Sequence, residues 1–133
     1  MGLPIEGELA RQPLAGDFAR RDVPTCRLAE RIADVRARVL AAGWQVCIVT
    51  DESGVVLGRL RKDELHENPK AIVEQVMEAG PSTIRPDTKL EQITQRMQAK
   101  HLDHVVVTTL DGRLVGVLLR QEAEERLKDS AEI

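Results

Sequence analysis

Aromatic residues are nearly missing from this sequence: Trp44 and Phe18 stand alone, and there is no Tyr. Proteins that hold single-stranded nucleic acid stack its bases on aromatic rings, so this composition argues against that mode of binding. An excess of one charge is missing too. The 19 Lys and Arg residues face 22 Asp and Glu, giving a net charge of −3 with both signs mixed along the chain. That leaves no basic field to hold a nucleic-acid backbone, and no nucleic-acid partner is expected. The only two cysteines, Cys26 and Cys47, form no Cys-x-x-Cys pair and sit in apolar, strand-like surroundings. They read as reduced core residues of a cytoplasmic protein. No apolar run approaches the roughly 18 residues of a membrane span. Residues 1–14, broken by Pro4, Gly7 and Pro13, lack the basic-then-apolar pattern of an export signal. No membrane partner is expected.

Catalytic signatures are also missing. The sequence has no Gly-rich phosphate loop, no Gly-x-Ser-x-Gly elbow and no His-Glu-x-x-His pair. His101 and His104 are three residues apart, but only Asp103 accompanies them and the pattern places them across a helix end and a strand start, so no metal site is expected. His66 lies in a polar stretch and reads as exposed. The densest basic stretch, Arg20, Arg21, Arg27, Arg31, Arg36 and Arg38, is interrupted by Asp22, Glu30 and Asp34, the mark of a solvated helix face.

What the sequence does have is an aliphatic core and a repeat. Apolar residues make up 42% of 133 residues, enough for one compact unit or two small ones that share a core. Gly58 recurs as Gly116, an offset of 58 residues, and that offset aligns residues 23–65 with the second half without a gap. It pairs Thr25 with Thr83, Arg27 with Arg85, Arg38 with Arg96, Ala41 with Ala99, Val49 with Val107 and Thr50 with Thr108. Gly54, Leu60 and Glu64 likewise match Gly112, Leu118 and Glu122, where chance alone predicts roughly three identities over the whole alignment.

Each repeat reads as strand, helix, strand, strand, helix. Leu28, Ile32, Val35 and Val39 keep helical spacing, with Gly43 as the stop. In the second repeat Thr88-Lys89-Leu90-Glu91 has the form of a capping box ahead of Leu90, Ile93 and Met97. The apolar runs 46–50, 55–60, 104–108 and 114–119 read as hairpin strands buried on both faces, so neither half is expected to be stable alone. Asn68-Pro69 and the stripe Ile72, Val73, Val76 and Met77 predict a helix joining the halves. Residues 120–128 read as an amphipathic last helix. The resulting organisation is an N-terminal arm (1–21), a first repeat (22–66), a linking helix (67–80), a second repeat (81–128) and a tail (129–133). The arm is expected to be mobile unless Leu9, Leu14 and Phe18 dock on the repeats or on a second subunit.

This pattern resembles the tandem cystathionine β-synthase (CBS) domain pair, or Bateman module, over about residues 22–128. The phrase Val76-Met77-Glu78-Ala79-Gly80-Pro81-Ser82-Thr83-Ile84-Arg85-Pro86-Asp87 looks like the start of a second CBS repeat. Residues 107–116 look like its hairpin. The resemblance implies an α/β fold of two βαββα repeats packed with pseudo-two-fold symmetry, small sheets covered by helices. It also implies a regulatory module and not an enzyme, commonly a homodimer. Such modules bind AMP, ATP or S-adenosylmethionine in clefts between the repeats. With no partner domain in this chain, the output goes to another protein or the chain is a fragment.

The family's ligand signature is Gly, two apolar residues, Thr or Ser, two variable residues, then Asp. Its carboxylate takes the ribose hydroxyls and its hydroxyl meets phosphate. Here the signature places Arg61 and Leu119 at the hydroxyl position, and Glu64 and Glu122 at the acid position. Thr25, Val46, Thr83 and His104 complete the candidate ligand-binding set. Glu keeps the charge but adds a methylene, moving the carboxylate by roughly 1.5 Å. The first repeat's site is expected to suit an anion better, because Arg61 can meet phosphate with Arg59 and Lys62 nearby. The other reading of Glu64 and Glu122 makes them first-turn residues favoured by the helix dipole. With both signatures altered, the alternative is a ligand-free module that dimerises or docks a partner.

Overall fold

The computed structural model describes residues 12–131. Each repeat builds one small sheet. The first has the order β1 (Thr25–Cys26), β2 (Cys47–Thr50), β3 (Val56–Leu60) and β4 (Glu78–Ala79). The second has the order β5 (Thr83–Ile84), β6 (His104–Thr108) and β7 (Leu114–Leu119). In both sheets a short parallel strand pairs with the middle strand, which turns back antiparallel through a hairpin. A parallel pair needs a crossover, and helices α2 (Ile32–Ala41) and α5 (Leu90–Ala99) supply it.

Periodicity places the cores. Ile32, Val35 and Val39 of α2 and Leu90, Ile93 and Met97 of α5 are buried along the expected stripes. Every residue of β2 and β6 is buried. Val106 and Val117 of the second repeat join the core of the first around Ile32, Ile48 and Leu60, so the repeats shield each other. Each such aliphatic side chain contributes about 1.5–3 kcal/mol on burial. Gly43 ends α2 in the left-handed region at φ +78°, and at the equivalent position after α5 stands His101, at φ +56°. His101 is therefore a helix-terminating residue.

The segments preceding the repeats cross over. Helix α1 (Ala15–Phe18) lies 58 residues before helix α4 (Val73–Val76), and each packs on the opposite repeat. The backbone N–H of Leu90, at the start of α5, donates to the carbonyl of Pro13 (2.9 Å), and that of Ile32, at the start of α2, donates to Ala71 (2.9 Å). The N–H groups of Ala15 and Gly16 donate to Thr88 and Pro86, while those of Val73 and Glu74 donate to Glu30 and Leu28. Arg20 bridges Val117 as Glu78 pairs with Arg59. Every one of these contacts recurs at the same offset, so the pseudo-two-fold relation starts near residue 13.

Three expectations change accordingly. Residues 12–21 are not a free arm: Leu14 bridges Lys89, and Phe18 packs against the second repeat's core. Leu9 lies outside the described residues. The linking helix shrinks to the four residues of α4, because Asn68 forms a turn by accepting from the Lys70 N–H (3.0 Å) and the chain after Met77 extends to pair with β3. The capping box at Thr88 does not form. The helix starts one residue later with Lys89 at the cap, and the Pro13 carbonyl takes a first-turn donor instead.

The crossing explains Gly116. A Cβ there would lie 2.5 Å from the Arg20 carbonyl oxygen. Gly116→Ala should lower stability in urea by about 2 kcal/mol. Faster amide exchange at Arg20 and Val117 should accompany the loss. An unchanged midpoint would mean that residues 19–21 do not cross over Gly116.

Candidate functional site

Two clefts form where one repeat's strand ends meet the other repeat. The larger, about 620 Å³, lies against the start of helix α6 (Arg120–Ala131). Val46, Leu119 and the carboxylates of Asp103, Glu122, Glu124 and Glu125 line it, with Arg120 as its one cation. The smaller, about 230 Å³, is lined by Arg59, Arg96 and Lys100 against the single carboxylate of Glu78, together with Ser82 and Thr83. His104 lines both.

His104 sits at the first residue of β6 and is 7% exposed. One nitrogen, Nδ1, is 2.6 Å from the Asp103 carboxylate, and the other, Nε2, is 3.2 Å from the Arg59 guanidinium. Arginine has donors only, so Nε2 accepts and the ring is neutral with its proton on Nδ1, donated to Asp103. Burial pushes the ring below its ordinary value of 6.5, with Asp103 pulling the other way. Arg59 also donates to Glu78 at 2.7 Å, and its guanidinium holds that carboxyl below the usual range.

The predicted site residues divide. Val46, Leu119, Glu122 and His104 meet at the acidic cleft; Thr83 and His104 meet at the basic one. Thr83 is already engaged, accepting from Arg85 at 3.3 Å. Thr25 is exposed and lines neither cleft, and its carbonyl accepts from Arg38 at 3.0 Å. Glu64 turns back to accept from the Arg61 N–H (2.9 Å), capping helix α3 (Lys62–Leu65). Glu122 accepts from Arg20 at 2.9 Å. Arg61 is half exposed and spans Glu64 and Glu78, each at 3.5 Å.

The expected phosphate contact by Arg61 is thus corrected, since Arg61 lines neither cleft: Arg59, two residues earlier and within β3, lines the basic one, whereas Arg61 follows the last residue of that strand and caps α3. Sequence reasoning missed Glu78, Asp103, Arg96 and Lys100. For Glu78 the one signal was positional, since it stands 58 residues after Arg20 and both cross a glycine of the opposite strand.

Comparison with known proteins agrees with this architecture. Residues 73–128 match the family model of the CBS domain. No curated protein sequence matches the chain. Among solved structures, the cytosolic domain of the Mg2+ channel MgtE in complex with ATP is 23% identical with a TM-score of 0.78, over 89% of this chain and 51% of that one. This chain therefore spans about half of that domain. CBSX2 in complex with AMP is 18% identical with a TM-score of 0.79, over 90% and 98% of the two chains. The CBS domains of a transcriptional regulator from Streptococcus pneumoniae are 20% identical with a TM-score of 0.76, over 84% and 97%. The chain has the fold of a CBS pair, and the match to the CBS-domain model falls on its second repeat. No helix among the described residues is long and apolar enough to cross a membrane.

The neutral His104 makes stability depend on pH. Above about 6.5 neither folded nor unfolded chain is protonated at this ring, and its contribution is complete. Below that, the unfolded chain takes a proton that the folded chain refuses, so stability falls with pH until folded His104 itself titrates. Urea midpoints should drop between pH 7 and pH 5.5, with a slope of at most about 1.4 kcal/mol per pH unit. His104→Gln should remove most of that slope. A slope that survives the substitution would locate the proton elsewhere.

Proposed function

We propose that this chain is a non-catalytic CBS-pair regulatory module, dimeric and cytoplasmic, whose basic cleft takes the phosphate of an adenine nucleotide and whose occupancy alters a partner protein. The observation that carries this reading is the convergence of Arg59, Arg96 and Lys100 on one cleft beside the hydroxyls of Ser82 and Thr83. Guanidinium and ammonium donors with nearby hydroxyls suit phosphate oxygens. Relatives of the same fold captured with ATP and with AMP support it. At about 230 Å³ the cleft is smaller than the ordinary ligand pocket of about 300–1,000 Å³. That favours a monophosphate over a triphosphate, and requires the Arg59 side chain to give way. A sulfonium ligand such as S-adenosylmethionine instead matches the acidic cleft on charge.

A second reading, a ligand-free interaction module, is favoured by a different observation. Both signature carboxylates serve the protein itself, Glu64 as a helix cap and Glu122 as the partner of Arg20.

A thermal-shift series with AMP, ATP and S-adenosylmethionine separates the two. AMP should raise the melting temperature with concentration, since ligand at 100 times its Kd adds about 2.7 kcal/mol. Lys100→Glu should abolish the rise, and Leu119→Ala should leave it intact. A flat response from a folded protein would favour the interaction module.

A further inference from the structure

His104 is the wall between two clefts of opposite charge. Its Nε2 faces the basic cleft through Arg59 at 3.2 Å, and its Nδ1 faces Asp103 at 2.6 Å, on the acidic side. With 7% of the residue exposed, neither nitrogen can turn to solvent without rearrangement. Arg59 is therefore held by two groups of unequal strength. Glu78 offers a charge-assisted bond at 2.7 Å, and the imidazole offers a neutral one that exists only while Nε2 carries no proton.

We propose that His104 is a proton-binding site coupled to the basic cleft: an oxyanion seated there draws Arg59 off Nε2, and His104 takes up a proton from solvent in its place. The inference rests on reading the basic cleft as an anion site. A tetrahedral oxyanion accepts two parallel bonds from a guanidinium and competes directly with the single lone pair of Nε2. Once Arg59 has moved, Nε2 is a buried acceptor without its donor. A proton restores a hydrogen bond by making Nε2 a donor towards the anion, while Nδ1 keeps Asp103.

The surrounding charges set the direction. On the basic side Arg59 and Arg61 from the β3 end, Arg96 of α5 and Lys100 at its C-cap oppose an imidazolium, and Glu78 of β4 favours it. A bound dianion offsets those cations. On the acidic side Asp103 and the α6 carboxylates Glu122, Glu124 and Glu125 favour the imidazolium against Arg120. Binding and protonation are then reciprocal, each strengthening the other by the same factor. Affinity for the anion should rise as pH falls, by at most about tenfold per pH unit for one proton.

Sulfate is the suitable probe, because it carries no titrating proton between about pH 5.5 and 8 whereas a phosphate monoester does. The ring signals of the three histidines, assigned with His104→Gln, would be followed by NMR against pH with and without sulfate. Sulfate should raise the His104 midpoint by about half a pH unit or more, and should bind several-fold more tightly at pH 6 than at pH 7.5. Arg59→Gln provides a ligand-free arm and should raise the midpoint without sulfate. In His104→Gln, sulfate should still bind, with affinity independent of pH. Sulfate that binds wild-type protein but leaves the His104 midpoint and the affinity unmoved by pH would overturn the coupling and spare the anion cleft. No sulfate binding at any pH would remove the anion reading and the coupling together.

Discussion

The structure depends on a reciprocal exchange of backbone hydrogen bonds. Each repeat has a helix whose first turn needs acceptors and a sheet edge that needs a strand, and in each case the segment preceding the other repeat supplies them. Strands of two residues, such as β1 and β5, bury too little to persist alone, and a two-stranded hairpin is marginal at best. Exchange solves both problems at once. It also ties the halves into one cooperative unit, because separating them would orphan helix donors at both α2 and α5.

This constraint explains what was legible in the sequence. Where side chains do the packing, the letters repeat: Val49 and Val107, Gly58 and Gly116, and Leu60 and Leu118 occupy equivalent core or close-contact positions. From 13–22 against 71–80 no residue is identical, although the two segments have the same structure. Their defining contacts run from backbone to backbone, which leaves the side chains nearly free. Ala15 and Val73, both fully buried, share only a modest size. The repeat could be found from residue 23, but its first ten residues could not, and the arm and the linking helix looked like different things.

The site was partly legible for a related reason. Signature spacing, the repeat offset and the resemblance together located the strand ends that border the clefts, and Val46, Thr83, His104, Leu119 and Glu122 do line them. Spacing within one repeat could not show which side chains from the other repeat would face them. Glu64 satisfied its own helix, and Arg61 was bound by carboxylates on both sides. The partner that decides the chemistry of His104 is Arg59, a residue 45 positions away in the other sheet.

The same exchange carries a reversal of charge. Residues 20 and 78 hold equivalent places over the two glycines, yet one is arginine and the other glutamate. Glu78 draws Arg59 and Arg61 towards the basic cleft; Arg20 reaches out to Asp22 and Glu122, leaving Glu124 and Glu125 to set the sign of the other. A symmetric backbone therefore carries asymmetric charge: Glu78 crosses Arg59 of the basic cleft and pairs with it, whereas the equivalent Arg20 crosses Val117.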